Sequence, residues 1–131
     1  MRYLDFDRLD VLDPVAFQSR KPFPWMNPQG LLTDEGDRRL LETLPDVSLF
    51  QASFGLRRRN RQSPHDRFIL EYDERLDVAE PWHAFIDELR GEAYGRFLRR
   101  MFGRGWLRLK FDWHYTPKGC SVSPHCDATR K

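Results

Sequence analysis

The residues best suited to chemistry lie in the last stretch of the chain, from Phe111 to Asp127, which closes on His125-Cys126-Asp127. If this tripeptide is extended, His125 and Asp127 point to one face and Cys126 to the other, because strand side chains alternate. An imidazole nitrogen and a carboxylate oxygen then converge on one point. That pair suits a borderline metal such as Fe(II), and a second histidine would complete a 2-His-1-carboxylate facial triad. No obvious second histidine is present. With four histidines and twenty acids in 131 residues, composition alone gives roughly 0.6 chance His-x-acid matches, so context must carry the reading. Tyr115 supplies some of that context, since a phenol beside the pair could donate a hydrogen bond to an anionic ligand.

Other chemistries fit less well. His114, Cys120, His125 and Cys126 cluster as zinc-type ligands, but adjacent His125 and Cys126 face opposite ways on a strand and there is no Cys-x-x-Cys. Neither cysteine has an orienting motif for a nucleophile, and a small thiol packed in the interior is the simpler reading. His65 and His83 lack companions at ligand spacing and read as surface or capping residues. The basic run Arg57 to Arg61 could touch phosphates but reads as a solvated hairpin tip.

Several elements must position the closing stretch. From Trp106 to Tyr115, Leu107, Leu109, Phe111, Trp113 and Tyr115 alternate with Arg108, Lys110, Asp112 and His114, which predicts a strand. Thr116 to Gly119 then makes a turn, and a second strand carries Val122 towards His125. Upstream, residues 81 to 102 show helical spacing, Trp82, Phe85, Ile86 and Leu89 and then Tyr94, Phe97, Leu98, Met101 and Phe102. Gly91 divides this run, and Gly103 and Gly105 stop it. Two period-two segments, Leu49 to Leu56 and Arg67 to Asp73, predict half-buried antiparallel strands. Thr33-Asp34-Glu35 opens a helix whose apolar stripe is Leu40, Leu41 and Leu44, with Pro45 ending it. The first thirty residues read as irregular apart from a short helix at Asp13-Pro14. Phe23, Trp25 and Met26, among Pro22, Pro24, Pro28 and Gly30, read as a loop pinned across a core, with a peptide-binding arm as the alternative.

Length predicts one domain over residues 1–131, able to bury roughly two-thirds of its unfolded surface. Residues 1–32 form the irregular lead-in, 33–105 the helices and first strands, and 106–131 the strand pair with the His-x-Asp motif. Ten Phe, four Trp and four Tyr favour a packed core over disorder. With 22 basic and 20 acidic residues, a net charge of +2 makes no case for nucleic acid. No signal-peptide pattern opens the chain and no stretch reaches the ~20 apolar residues of a membrane span. A reducing, cytoplasmic setting with free thiols is the expectation. Without regular βαβ alternation, an α+β fold with helices outside an antiparallel sheet fits best.

Tyr115-Thr116-Pro117-Lys118-Gly119-Cys120-Ser121-Val122-Ser123-Pro124-His125-Cys126-Asp127 resembles the tyrosine strand and Pro-His-x-Asp strand of the 2-oxoglutarate/Fe(II)-dependent oxygenases. The prolyl-4-hydroxylase-like branch is nearest in pattern. The motif covers residues 111 to 131. Phe23 to Gly30 and Trp113 to Pro117 also resemble a bacterial subgroup of that superfamily. The resemblance implies a double-stranded β-helix, or jelly roll, with its N-terminal and inserted helices packed on the outside. It implies His125 and Asp127 as the first two Fe(II) ligands and Tyr115 as a contact for the cosubstrate 2-oxoglutarate. O2 and a substrate not readable here would be the other reactants. The family also needs a distal histidine and, beyond it, a basic residue for the outer carboxylate of 2-oxoglutarate, and neither lies before Lys131. A jelly roll has eight strands, and this chain predicts four or five. The expectation is therefore an incomplete jelly roll, the N-terminal part of a dioxygenase of hydroxylase type, truncated and inactive alone. The alternatives are a non-catalytic jelly-roll or cupin-like binding domain with a vestigial His-x-Asp, and an interaction module working through Arg57 to Arg61. Nothing in the sequence fixes the oligomeric state.

Overall fold

The computed structural model describes residues 1–55, 66–103, 105 and 107–121. These hold five α-helices and a three-stranded antiparallel sheet, an α+β arrangement. The order is α1 (Phe6–Asp10), α2 (Pro14–Ser19), α3 (Asp34–Glu42), a 3-10 turn at Val47–Leu49, β1 (Gln51–Ser53), β2 (Arg67–Glu71), α4 (Glu80–Arg90), α5 (Glu92–Phe102) and β3 (Asp112–Tyr115). The chain divides into two compact units. One is helical, residues 1–44 with 77–110, and the other holds the sheet, residues 45–76 with the chain from 111 onward.

In the helical unit, local chemistry sets the helix ends. The Asp13 carboxylate accepts from the Val15 and Ala16 N–H groups, with Pro14 in the first turn of α2. The Thr33 hydroxyl accepts from Gly36 N at the start of α3. Gly91 ends α4 and begins α5 in an extended conformation, as its place between the two apolar runs predicts. Gly103 closes α5 at φ 64°, a left-handed geometry that favours glycine. The core joins Leu4, Leu9, Phe17, Phe97, Leu98 and Met101. Burial of that core's neighbour Tyr94 pushes its phenol above the ordinary value.

The first residues are ordered, contrary to the irregular lead-in the sequence suggests. Asp5 caps α1 through a hydrogen bond from Arg8 N, but a five-residue helix is too short to show a periodic stripe. Leu4 bridges to Leu32, while Asp5 N donates to Leu31 O and Thr33 N donates to Tyr3 O. The Glu88 carboxylate of α4 accepts from Tyr3 N at 2.8 Å and from Leu4 N at 3.1 Å. Gly36 lets this segment pass close to α3, since a Cβ there would lie 2.8 Å from the Tyr3 Cα.

Three expectations change. In α3 only Leu40 is buried; Leu41 and Leu44 are about 60% exposed (60% and 59%), because the helix ends at Glu42 and turns only the Gly36 and Leu40 face inward. In the Pro-rich loop, Met26 packs against the core, but Phe23 and Trp25 are exposed and Trp25 stacks under the Arg20 guanidinium instead. The strand expected over residues 106 to 115 is confined to Asp112–Tyr115, because Leu107 leaves the alternation to pack on the helical core.

Two outcomes test this framework. Glu88→Ala, which strips the acceptor from two N–H groups, should lower stability by about 2 kcal/mol in urea unfolding. Gly36→Ala should also destabilise, although alanine is the better helix former by ~1 kcal/mol, because the added methyl meets the Tyr3 backbone.

Candidate functional site

β2 is the middle strand, antiparallel to both neighbours. Its sequence, Arg67-Phe68-Ile69-Leu70-Glu71, alternates, and so does Asp112-Trp113-His114-Tyr115 in β3. Phe68 pairs with Tyr115, Leu70 with Trp113 and, on the other side, Ala52 with Phe68. These residues share one face because paired residues in a ladder point the same way. The face is continuous and aromatic. Phe54 meets Phe68 edge to face at 5.2 Å, Phe68 lies 6.0 Å from Tyr115, and Tyr72 lies 6.0 Å from Trp113 and 6.4 Å from Phe111. Leu70 is its buried centre.

Tyr115 ends β3 at the open border of this face and is 44% exposed. Its hydroxyl makes no hydrogen bond among the described residues. The phenol therefore has an anchored ring and a free polar tip, which suits a hydrogen-bond donor to an anion.

The opposite face is polar. The Arg67 Nη1 lies 3.3 Å from His114 Nδ1. A guanidinium only donates, so Nδ1 is the acceptor in this contact. The Arg67 Nε is buried without a hydrogen-bond partner among the described residues. His114 thus stands on the other side of the sheet from Tyr115 and does not join it in a site.

The turn after β3 differs from a simple reversal. Unbroken pairing would set Pro117 opposite Asp66, but the Asp66 N–H donates to Ser121 O at 3.0 Å. Pro117, Lys118, Gly119 and Cys120 loop out, closed by Cys120 N donating to Pro117 O, with Gly119 at φ 93°. Ser121 thus returns to the β2 edge, where the expected turn would have carried it back along β3. Cys120 is a free, half-buried thiol.

Of the predicted site residues, only Tyr115 lies within the described residues; His125 and Asp127 lie outside them, as do Cys126, His65 and the run Arg57 to Arg61. His83 is half-buried on α4. Among the described residues no group of three or more His, Cys, Asp or Glu side chains could hold a metal. Those residues alone do not make an iron site, and no step is derived through one. No helix among them is long and apolar enough to cross a membrane. The sequence reading missed a cluster of arginines, Arg2, Arg96 and Arg100, around one cavity of the helical unit. Its only signal was the four-residue spacing of Arg96 and Arg100.

Compared with known proteins, the chain matches no family model, no curated protein and no solved structure.

Tyr115→Phe should leave stability within about 0.5 kcal/mol of the parent in chemical denaturation, because Tyr115 is exposed and its hydroxyl has no partner among the described residues. That makes it a clean probe of function.

Proposed function

We propose that this chain is part of an Fe(II)- and 2-oxoglutarate-dependent dioxygenase of hydroxylase type, built on an incomplete jelly roll. Iron would be held by His125 and Asp127, and the observation that carries the reading is Tyr115. Its phenol ends a strand on an aromatic face, six residues before Ser121 brings the chain back to the edge of β2. From that edge the chain runs on to the His-x-Asp pair. When bound, Fe(II) with 2-oxoglutarate and O2 would supply the oxidation of a substrate C–H bond.

The chain's own residues contribute binding. Phe54, Phe68 and Trp113 line the Tyr115 side of the sheet with apolar surface. In that setting the Tyr115 hydroxyl donates to a carboxylate oxygen of 2-oxoglutarate. His125 and Asp127 supply two of the protein donors that a facial triad needs, so iron held by them alone is weakly bound.

Anaerobic Fe(II) titration of the purified protein tests the pair. His125→Ala and Asp127→Ala should each weaken iron binding at least tenfold, while Tyr115→Phe should weaken 2-oxoglutarate binding to the iron-loaded protein without changing the affinity for iron. Equal iron binding by the parent and His125→Ala would remove the oxygenase reading.

A further inference from the structure

The helical unit contains a second candidate site, independent of the sheet. A cavity of about 470 Å³ opens between α1 and α5, within the size range of small-molecule pockets. Arg96 and Arg100 stand one turn apart on α5 and both line it, joined by Arg2 from the N-terminal segment. Like charges at this spacing repel along a helix.

Two of the guanidinium groups, those of Arg100 and Arg2, are positioned by direct contacts, and the cluster is only partly neutralised. Arg100 donates from Nη1 to Asp10 O and from Nη2 to Leu9 O, both at 2.8 Å, which fixes it against the end of α1. Carbonyl oxygens orient a guanidinium but carry no charge. The Asp10 carboxylate stands 3.6 Å from Arg100 Nη2, the long end of an ion pair between exposed groups. Arg2 lies over the Phe6 ring, 5.3 Å from its centroid. Neither Arg2 nor Arg96 has an ion pair among the described residues. Asp7 and Asp10 line the same cavity, so its walls carry a net charge of one positive unit.

The remaining walls are apolar. Phe97 is 5% exposed, with the Arg100 guanidinium 5.9 Å from its ring centroid, and Phe6 of α1 lines the same cavity. Ala93, one turn before Phe97 on α5, also lines the cavity. Planar guanidinium forks match carboxylate and phosphate oxygens, and aromatic rings match a flat apolar body.

We propose that this cavity binds a small aromatic oxyanion, an aryl phosphate or aryl carboxylate, with its anionic group on Arg96, Arg100 and Arg2 and its ring between Phe6 and Phe97. Calorimetric titration of the full chain with phenyl phosphate, benzoate and inorganic phosphate at low ionic strength tests it. At least one aryl anion should bind saturably, more tightly than inorganic phosphate and more weakly as salt rises. The tighter of the two aryl anions identifies the oxyanion. Arg96→Gln should weaken that binding at least tenfold, and Ala93→Phe, which fills the cavity, should abolish it. Arg38→Gln, on α3 outside the cavity, should leave it unchanged. Circular dichroism matching the parent confirms that the variants fold. Saturable binding by neither aryl anion overturns the proposal, and so does equal weakening by Arg96→Gln and Arg38→Gln, which would mark diffuse charge attraction.

Discussion

The sheet depends on β2, the one described strand whose two edges are both paired. Its backbone sets the register of β1 on one side and β3 on the other. Because the side-chain period of a strand is two, those registers also decide which residues share a face. Phe68 and Leu70 bring Tyr115 and Trp113 to their own side, and Arg67 and Ile69 bring His114 to the other. The same edge takes up Ser121 after the loop of Pro117 to Cys120. One five-residue strand therefore fixes the aromatic face and the place of Tyr115 on it.

The helical unit relies on a different device. Its N-terminal segment has bridge partners on one side at Leu31 to Thr33, and Glu88 supplies acceptors for Tyr3 N and Leu4 N. A carboxylate accepting two backbone N–H groups does for this segment what a neighbouring strand would do. It lets Leu4 and Tyr3 enter the interior with their polar backbone satisfied, which burial requires. The cost is a tight passage beside α3 that only a glycine at position 36 permits. Arg100 repeats the arrangement at the end of α1, where its guanidinium takes the carbonyls that a short helix leaves open. Side chains 80 or more residues away in sequence thus complete hydrogen bonding that the N-terminal segment cannot complete alone.

What could be read from the sequence follows from this distinction. Asp13-Pro14, Thr33, Gly91 and Gly103 act on backbone groups within a few residues, so their roles are visible in the local pattern. The antiparallel pairing of β1 and β2 was legible for the same reason, as two alternating runs flank a turn-rich segment. Leu41, Leu44, Phe23 and Trp25 read as interior residues because they are apolar, yet their exposure is decided by which helix face turns inward and by where the loop runs. Glu88 looked like any helix-surface acid, since its partners lie at the other end of the chain. The alternation from Leu107 to Tyr115 is real as a pattern but serves two units, with Leu107 on the helical core and Trp113 and Tyr115 on the sheet.

The candidate site shows how narrow a margin separates two chemistries in such a pattern. Tyr115 and His114 are neighbours in sequence, and a shift of one residue in the β2–β3 register would exchange them between faces. In the register formed, the imidazole meets Arg67 and the phenol meets Phe68. A phenol at the rim of an aromatic wall keeps a free donor and loses little by staying partly exposed. The register therefore keeps His114 from acting as a metal ligand on the Tyr115 side and reserves that side for the phenol. Any metal chemistry on the aromatic face must draw its nitrogen from elsewhere, and among the four histidines only His125 follows Tyr115 in the chain, two residues before a carboxylate.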